Sequence, residues 1–318
     1  MEAFNKLKFM VGRRPQALPL VSWRTILLLF FALLIWRCGE RQAPKEILVE
    51  FKQQPEEKYV YRIKDDVEWE IEDTNGRYAY QHQQEQKSEM TIAAIDSAMV
   101  RSLTMMFVIT KDTLINVPDF SWQKKRGSVV GRSFEYQLRM RKNGEIIDVS
   151  SQHPKVTFYF NSSYKPSQPV FPDRPISPGF AWTQNFQIDV PNGNPTVVTT
   201  QYELKGFAKV DRFDCAIIGF KGELEFEECY KPPESKQTES LVAKKYKSRM
   251  TSAGQIYFAY RQGFMVKKVN LIESTVRTTA FTKNKTEAQS QTVCRDREAI
   301  TLTEINRPGG EVVRYQIE

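Results

Sequence analysis

The chain has 318 residues, 41% hydrophobic content and a formal charge of +8, enough apolar material for one large domain or two small ones. Six basic groups and one acid fall within residues 1–37, which leaves the rest at +3. There the signs alternate, as in EEKYVYRIKDDVEWEIED from Glu56 to Asp73, which describes a solvated β surface and excludes a nucleic-acid partner.

The first element is an apolar run, TILLLFFALLIW, from Thr25 to Trp36. Lys6, Lys8, Arg13, Arg14 and Arg24 precede it; Arg37, Cys38, Gly39 and Glu40 follow. A basic lead, a short apolar core and a polar exit read as an export signal. Twelve helical residues span about 18 Å, against about 30 Å for the hydrocarbon core of a bilayer. A longer span reaching back to Ala17 takes in Pro19 and Arg24. Three outcomes stay open: lipid attachment at Cys38, an uncleaved anchor, or ordinary cleavage. Ile35 suits lipidation of Cys38, whereas Trp36 and Arg37 depart from the small residue expected before the cysteine. Residues 1–38 are thus expected to be a signal peptide or signal-anchor helix. Membrane attachment is expected through this N-terminus.

Residues 39–57 are polar, with Pro44 and Pro55, and read as a tether. After Lys58 the pattern has period two: Tyr59, Tyr61 and Ile63, then Val67, Trp69 and Ile71. Asp73-Thr74-Asn75-Gly76 supplies a turn. Ile92–Val108 reads as two strands around Asp96-Ser97-Ala98. Phe134, Tyr136, Leu138 and Met140 lead into Asn143-Gly144, the strongest local hairpin signal in the chain, because both residues tolerate positive φ. Residues 58–160 form the expected first β unit.

Residues 161–180 hold Pro166, Pro169, Pro172, Pro175 and Pro178, which forbid a regular ladder and suit a link between units. A second β unit is expected over 181–306, with a hairpin at Gln262-Gly263, and a tail over 307–318. The two sides of the link resemble each other. Asp96 aligns with Asp211 and Gly144 with Gly263 at nearly equal separations, which predicts a duplicated β unit. The predicted fold class is therefore mainly β: two related antiparallel units, a proline-rich join and an N-terminal apolar helix.

The signal with its cysteine, the early YVYRI strand, Pro178-Gly179-Phe180-Ala181-Trp182 and the late GQIYFAYRQGFMVKKV stretch resemble bacterial exported lipoproteins built from two related β units. The resemblance implies a location in the bacterial cell envelope, with the β domains outside the cytoplasm. It implies no activity.

Catalytic chemistry has little to stand on. His82 and His153 are the two histidines, and neither sits in a nucleophile, metal or phosphate motif. His82 reads as an exposed strand residue. Asp65-Asp66 and Glu227-Glu228 are adjacent, so on a strand they point to opposite faces. Carboxylate pairs from different strands stay open. Cys215, Cys229 and Cys294 lack zinc spacing; one disulfide among them and three buried thiols are equally compatible with the sequence. No cofactor and no enzyme activity is expected. The aromatic residues Phe158, Phe160, Phe171 and Trp182 either pack the join or line an apolar groove for a lipid or protein ligand. The expected role is non-enzymatic binding or scaffolding, with a lipid or lipoprotein carrier as the alternative.

Overall fold

Alternating apolar and polar residues become strands almost throughout the computed structural model, which describes residues 44–74, 76–118, 128–152, 165–188, 194–231, 243–282 and 287–317. In chain order the strands are β1 (Lys58–Asp73), β2 (Gly76–Ile95), β3 (Arg101–Ile115), β4 (Ser133–Met140) and β5 (Ile146–Ser150). A single helical turn, α1 (Lys165–Ser167), comes next. Then come β6 (Ala181–Ile188), β7 (Thr196–Val210), β8 (Phe213–Tyr230), β9 (Ala243–Ala259), β10 (Phe264–Phe281), β11 (Glu287–Asn306) and β12 (Val312–Arg314). Among the described residues no helix is long and apolar enough to cross a membrane. The apolar run and Cys38 lie outside them.

Both stretches expected as separate units feed one antiparallel sheet. Its order is β5-β4-β3-β2-β1-β11-β10-β9-β8-β7-β6, with β12 added on β11. Each half is a meander, and the halves meet where β1 pairs β11, Lys58 opposite Asn306 through Glu72 opposite Gln291. Asp96 and Asp211 stand in the β2–β3 and β7–β8 turns. Gly144 and Gly263 stand in the β4–β5 and β9–β10 turns.

The sheet rolls, because its two edges reach the same short segment. Phe171 N donates to Asn143 O (2.8 Å) in the turn before edge strand β5. Val170 N donates to Gln184 Oε1 (2.9 Å), and Trp182 Nε1 donates to Val170 O (3.0 Å), on edge strand β6. Pro169 and Pro172 flank Phe171 and lack the N–H groups of a ladder, so this stretch crosses the interior instead of extending a strand. A second crossing segment joins it: Ile47 and Ile176 exchange backbone bonds of 2.9 and 2.8 Å. Further on, Phe51 N donates to Lys142 O (2.6 Å) and Lys52 N to Gly263 O (3.0 Å).

Together the two segments plug one end of the roll. Phe51, Phe171 and Phe258 pack with ring centroids 5.0–5.8 Å apart. Around them lie the buried Tyr61, Ile63, Leu103, Leu138, Ile256 and Ile300. The expected tether is thus corrected: Ile47, Val49, Phe51 and Gln53 belong to the core. Those four alternate with period two, but Lys45, Glu46, Glu50 and Lys52 disguise the pattern in a composition count. The expected link contributes Phe171 and Ile176 to the core, and the expected tail contributes Tyr315 and Ile317. Gly144 (φ 91) and Gly263 (φ 78) do more than turn hairpins. The Pro169 carbonyl and Phe51 ring crowd the first, and Lys52 crowds the second, so neither place has room for a Cβ.

Candidate functional site

Direct pairing across the ladders defines the inner face of the roll. Tyr61, Ile63, Asp65, Val67, Trp69 and Ile71 share it on β1, as alternate residues must. Their partners on β11 are Leu302, Ile300, Glu298, Asp296, Cys294 and Thr292. Three zones follow one another along this face.

The first zone is the plugged end. Between the plug and β1–β4 lies an apolar cavity of about 60 Å³. Met90, Met105, Met140 and Met265 line it, with Phe51, Phe171 and Phe258. Four unbranched thioethers make an adaptable wall. Gln53 also lines it and is 1% exposed.

The second zone is a polar belt. His82 Nε2 lies 2.7 Å from Asp112 Oδ1, and Gln84 Nε2 donates to the same oxygen at 3.1 Å. Gln86 Nε2 donates to Gln84 Oε1 (2.8 Å) and to Asp65 Oδ2 (3.4 Å). Asp65 stands opposite Glu298, and Glu298 opposite Asn270. Lys268 Nζ approaches Glu298 Oε2 at 3.5 Å. Burial pushes the Asp65 carboxyl up to about 7, helped by the charges of Glu298 and Asp296. Burial likewise pushes Asp296 up to about 6, with Glu298 and Asp66 adding repulsion. Such a belt can hold protons near neutral pH. The sequence hid it because its acids come from β1, β3 and β11 and meet only in register.

The third zone is the far half. Val67, Trp69, Ile71, Met250, Ile272, Val276, Phe186 and Phe226 face inward and are half-buried, with Trp69 stacked on the buried Tyr80 at a centroid distance of 5.9 Å. The opposite face of the same strands is charged. Glu68 pairs Arg297 (3.1 Å), Glu70 pairs Arg295 (3.0 Å) and Arg77 (2.8 Å), and Glu227 pairs Lys245 (2.8 Å).

The residues singled out from sequence separate. Phe171 is 1% exposed inside the plug. Trp182 stacks on Tyr202 with centroids 5.2 Å apart. Both pack the closure of the roll. Phe158, Phe160 and Cys38 lie outside the described residues, as does His153. His82, expected to be exposed, is a half-buried member of the belt: it stands on the inner face of β2, opposite Val67, with its ring against Asp112 of β3. Cys215, Cys229 and Cys294 are free thiols. Burial pushes Cys215 up to about 12 and Cys294 up to about 11, which disfavours the thiolate at neutral pH. Among the described residues no three His, Cys, Asp or Glu side chains converge as a metal site.

No family model matches the chain, and no curated protein matches it. Among solved structures it is similar to lipovitellin, in a structure concerned with lipid–protein interactions, with a TM-score of 0.40 and 11% identity. That overlap covers 84% of this chain and 27% of the lipovitellin chain, so the chain spans about a quarter of that protein. It is also similar to a putative lipoprotein from Parabacteroides distasonis, with a TM-score of 0.22 and 14% identity over 77% of this chain and 95% of that one.

Proposed function

We propose that this is an exported β protein of the bacterial cell envelope, tethered to a membrane through its N-terminus, that binds an acyl chain against the inner face of its rolled sheet. One observation carries the reading: beyond the polar belt the inner face is apolar again, with large side chains only half-buried among the described residues, while the outer face is an ion-pair lattice. A sheet that only scaffolds fills its apolar face with its own side chains; apolar surface left over marks a binding site. The role is non-enzymatic. The thiol nearest the belt, Cys294 beside Asp296, is held as the protonated thiol by burial, which disfavours it as a nucleophile.

Binding is tested by displacement of a fluorescent fatty acid from the purified protein. Saturable uptake is expected. Met105→Trp, which fills the cavity, should weaken it by about tenfold, the cost of losing one good apolar subsite. Absence of saturable uptake by the unmutated protein sinks the reading. The tether is tested by fractionating cells that express the full chain or a version lacking residues 1–37. The full chain is expected with membranes and the truncated one in the soluble fraction. Cys38→Ala removes an acyl label if the anchor is lipid and leaves membrane association intact if the apolar run itself is the anchor.

A further inference from the structure

The cavity in the plugged end has an unusual polar corner. Gln53 is 1% exposed, yet its Oε1 and Nε2 have no hydrogen-bond partner. Arg101 is 2% exposed, and its Nη1 also has none. Its Nε reaches only the Gln53 carbonyl, at 3.4 Å. No carboxylate among the described residues forms an ion pair with it. Glu50, whose charge acts on it, forms ion pairs with Lys142 (3.5 Å) and Lys52 (3.8 Å) instead. A buried guanidinium without an anion is costly, and so is a buried carboxamide without partners. Folded chains leave such groups unmet where something else meets them.

Both groups stand beside the apolar cavity. Gln53 lines it directly. Arg101 lies two residues before Leu103 on the same face of β3 and pairs with Met140 of β4; Leu103 and Met140 are both cavity walls. The Gln53 carboxamide therefore faces a space whose other walls are mostly thioether, aliphatic and aromatic, and Arg101 stands behind it, with its Nε on the Gln53 backbone carbonyl.

We infer that Arg101 and Gln53 receive the carboxylate of a single-chain fatty acid, whose first methylenes occupy the methionine-lined cavity. The inference rests on the acyl-chain reading above and names the head group of that ligand. The guanidinium and carboxamide N–H groups donate, and a carboxylate accepts from both at once. A cavity of about 60 Å³ admits a carboxylate and a few methylenes, not a glycerophosphate with two chains. The remaining chain is accommodated by rotamer changes of Met90, Met105 and Met265, which lose little packing when they move.

The experiment uses the full chain in amphipol and measures dodecanoate and dodecanol binding by calorimetry at pH 8. It compares the unmutated protein with Arg101→Met and Gln53→Leu. Dodecanoate is expected to bind at least about tenfold more tightly than dodecanol, the usual worth of a hydrogen bond to a charged group. Arg101→Met should remove that preference while leaving dodecanol binding in place. It should also unfold at the same or a higher temperature, because it deletes an unpaired buried charge. Gln53→Leu should reduce the preference in part and serves as the second variant if Arg101→Met does not fold. Carboxyl-labelled dodecanoate should titrate at lower pH on the unmutated protein than on Arg101→Met. Equal binding of acid and alcohol to the unmutated protein overturns the head-group assignment and leaves the acyl-chain reading standing. Binding of neither overturns both.

Discussion

At the plugged end of the roll and in its far half, the same strands meet different surroundings. Near Ile63 and Ile300 the inner side chains meet Phe51 and Phe171, delivered by two segments that are not part of the sheet. Some four residues further along β1, Val67 and Trp69 are half-buried, and Trp69 stacks on Tyr80 of the neighbouring strand. Between them the belt of Asp65, Asp296 and Glu298 marks the change. The alternation is equally regular on both sides of the belt. Period two assigns a side chain to a face; it does not supply the layer that covers the face. In this protein the cover at the plugged end arrives from elsewhere in the chain.

The sharpest way to break that comparison is at the plug. Phe171→Ala removes a fully buried ring packed against Phe51 and Phe258, and should cost about 3–5 kcal/mol in urea unfolding. A loss below about 1 kcal/mol would mean that the plug does not support the roll.

The belt should report through pH. Asp65 has a folded pKa raised to about 7, above the ordinary carboxylate value, so the folded state binds the proton more tightly than the unfolded one. Its stabilising contribution is fully present below the unfolded pKa and is lost as pH rises toward 7. Asp296, raised to about 6, acts in the same direction and over a similar window. Asp65→Asn should therefore raise stability at pH 8 by about 2 kcal/mol and flatten the fall between about pH 4 and 7. Thermal melts across that range check it, and a destabilised variant at pH 8 would show that the ionised carboxylate is held in the fold after all.

The smallest effect belongs to the outer lattice. Arg297→Ala breaks an exposed pair with Glu68 and should change stability by less than about 0.5 kcal/mol, and by still less in 0.5 M salt. A larger loss would show that the outer face, not the plug, holds the far half in shape.

Local signals in the sequence were legible where neighbours along the chain decide the outcome. Asn143-Gly144 and Gln262-Gly263 read as hairpin turns and are hairpin turns, and Asp96-Ser97-Ala98 divides β2 from β3. The adjacent acids Asp65 and Asp66 were expected on opposite faces, and the register puts Asp65 inside beside Glu298. The crossing segments were not legible. Ile47, Val49 and Phe51 sit among charges and prolines, so composition read them as a tether. Phe171 sits among prolines and read as part of a link. The belt was illegible for another reason: Asp65 lies far along the chain from Asn270 and Asp296, and they become neighbours only through β1–β11 and β11–β10 pairing.

By itself the sequence determined the strands, their turns, which residues share a face and the export-signal pattern at the N-terminus, because alternation, glycine and charge act over a few residues. Only the tertiary structure decided that β1 meets β11 in one sheet and that the sheet rolls. It also decided that two short segments plug one end and that Arg101 and Gln53 are buried beside a cavity, with Arg101 Nη1 and the Gln53 carboxamide lacking hydrogen bonds. Those outcomes depend on contacts between distant residues, whose burial and hydrogen bonding no local pattern specifies.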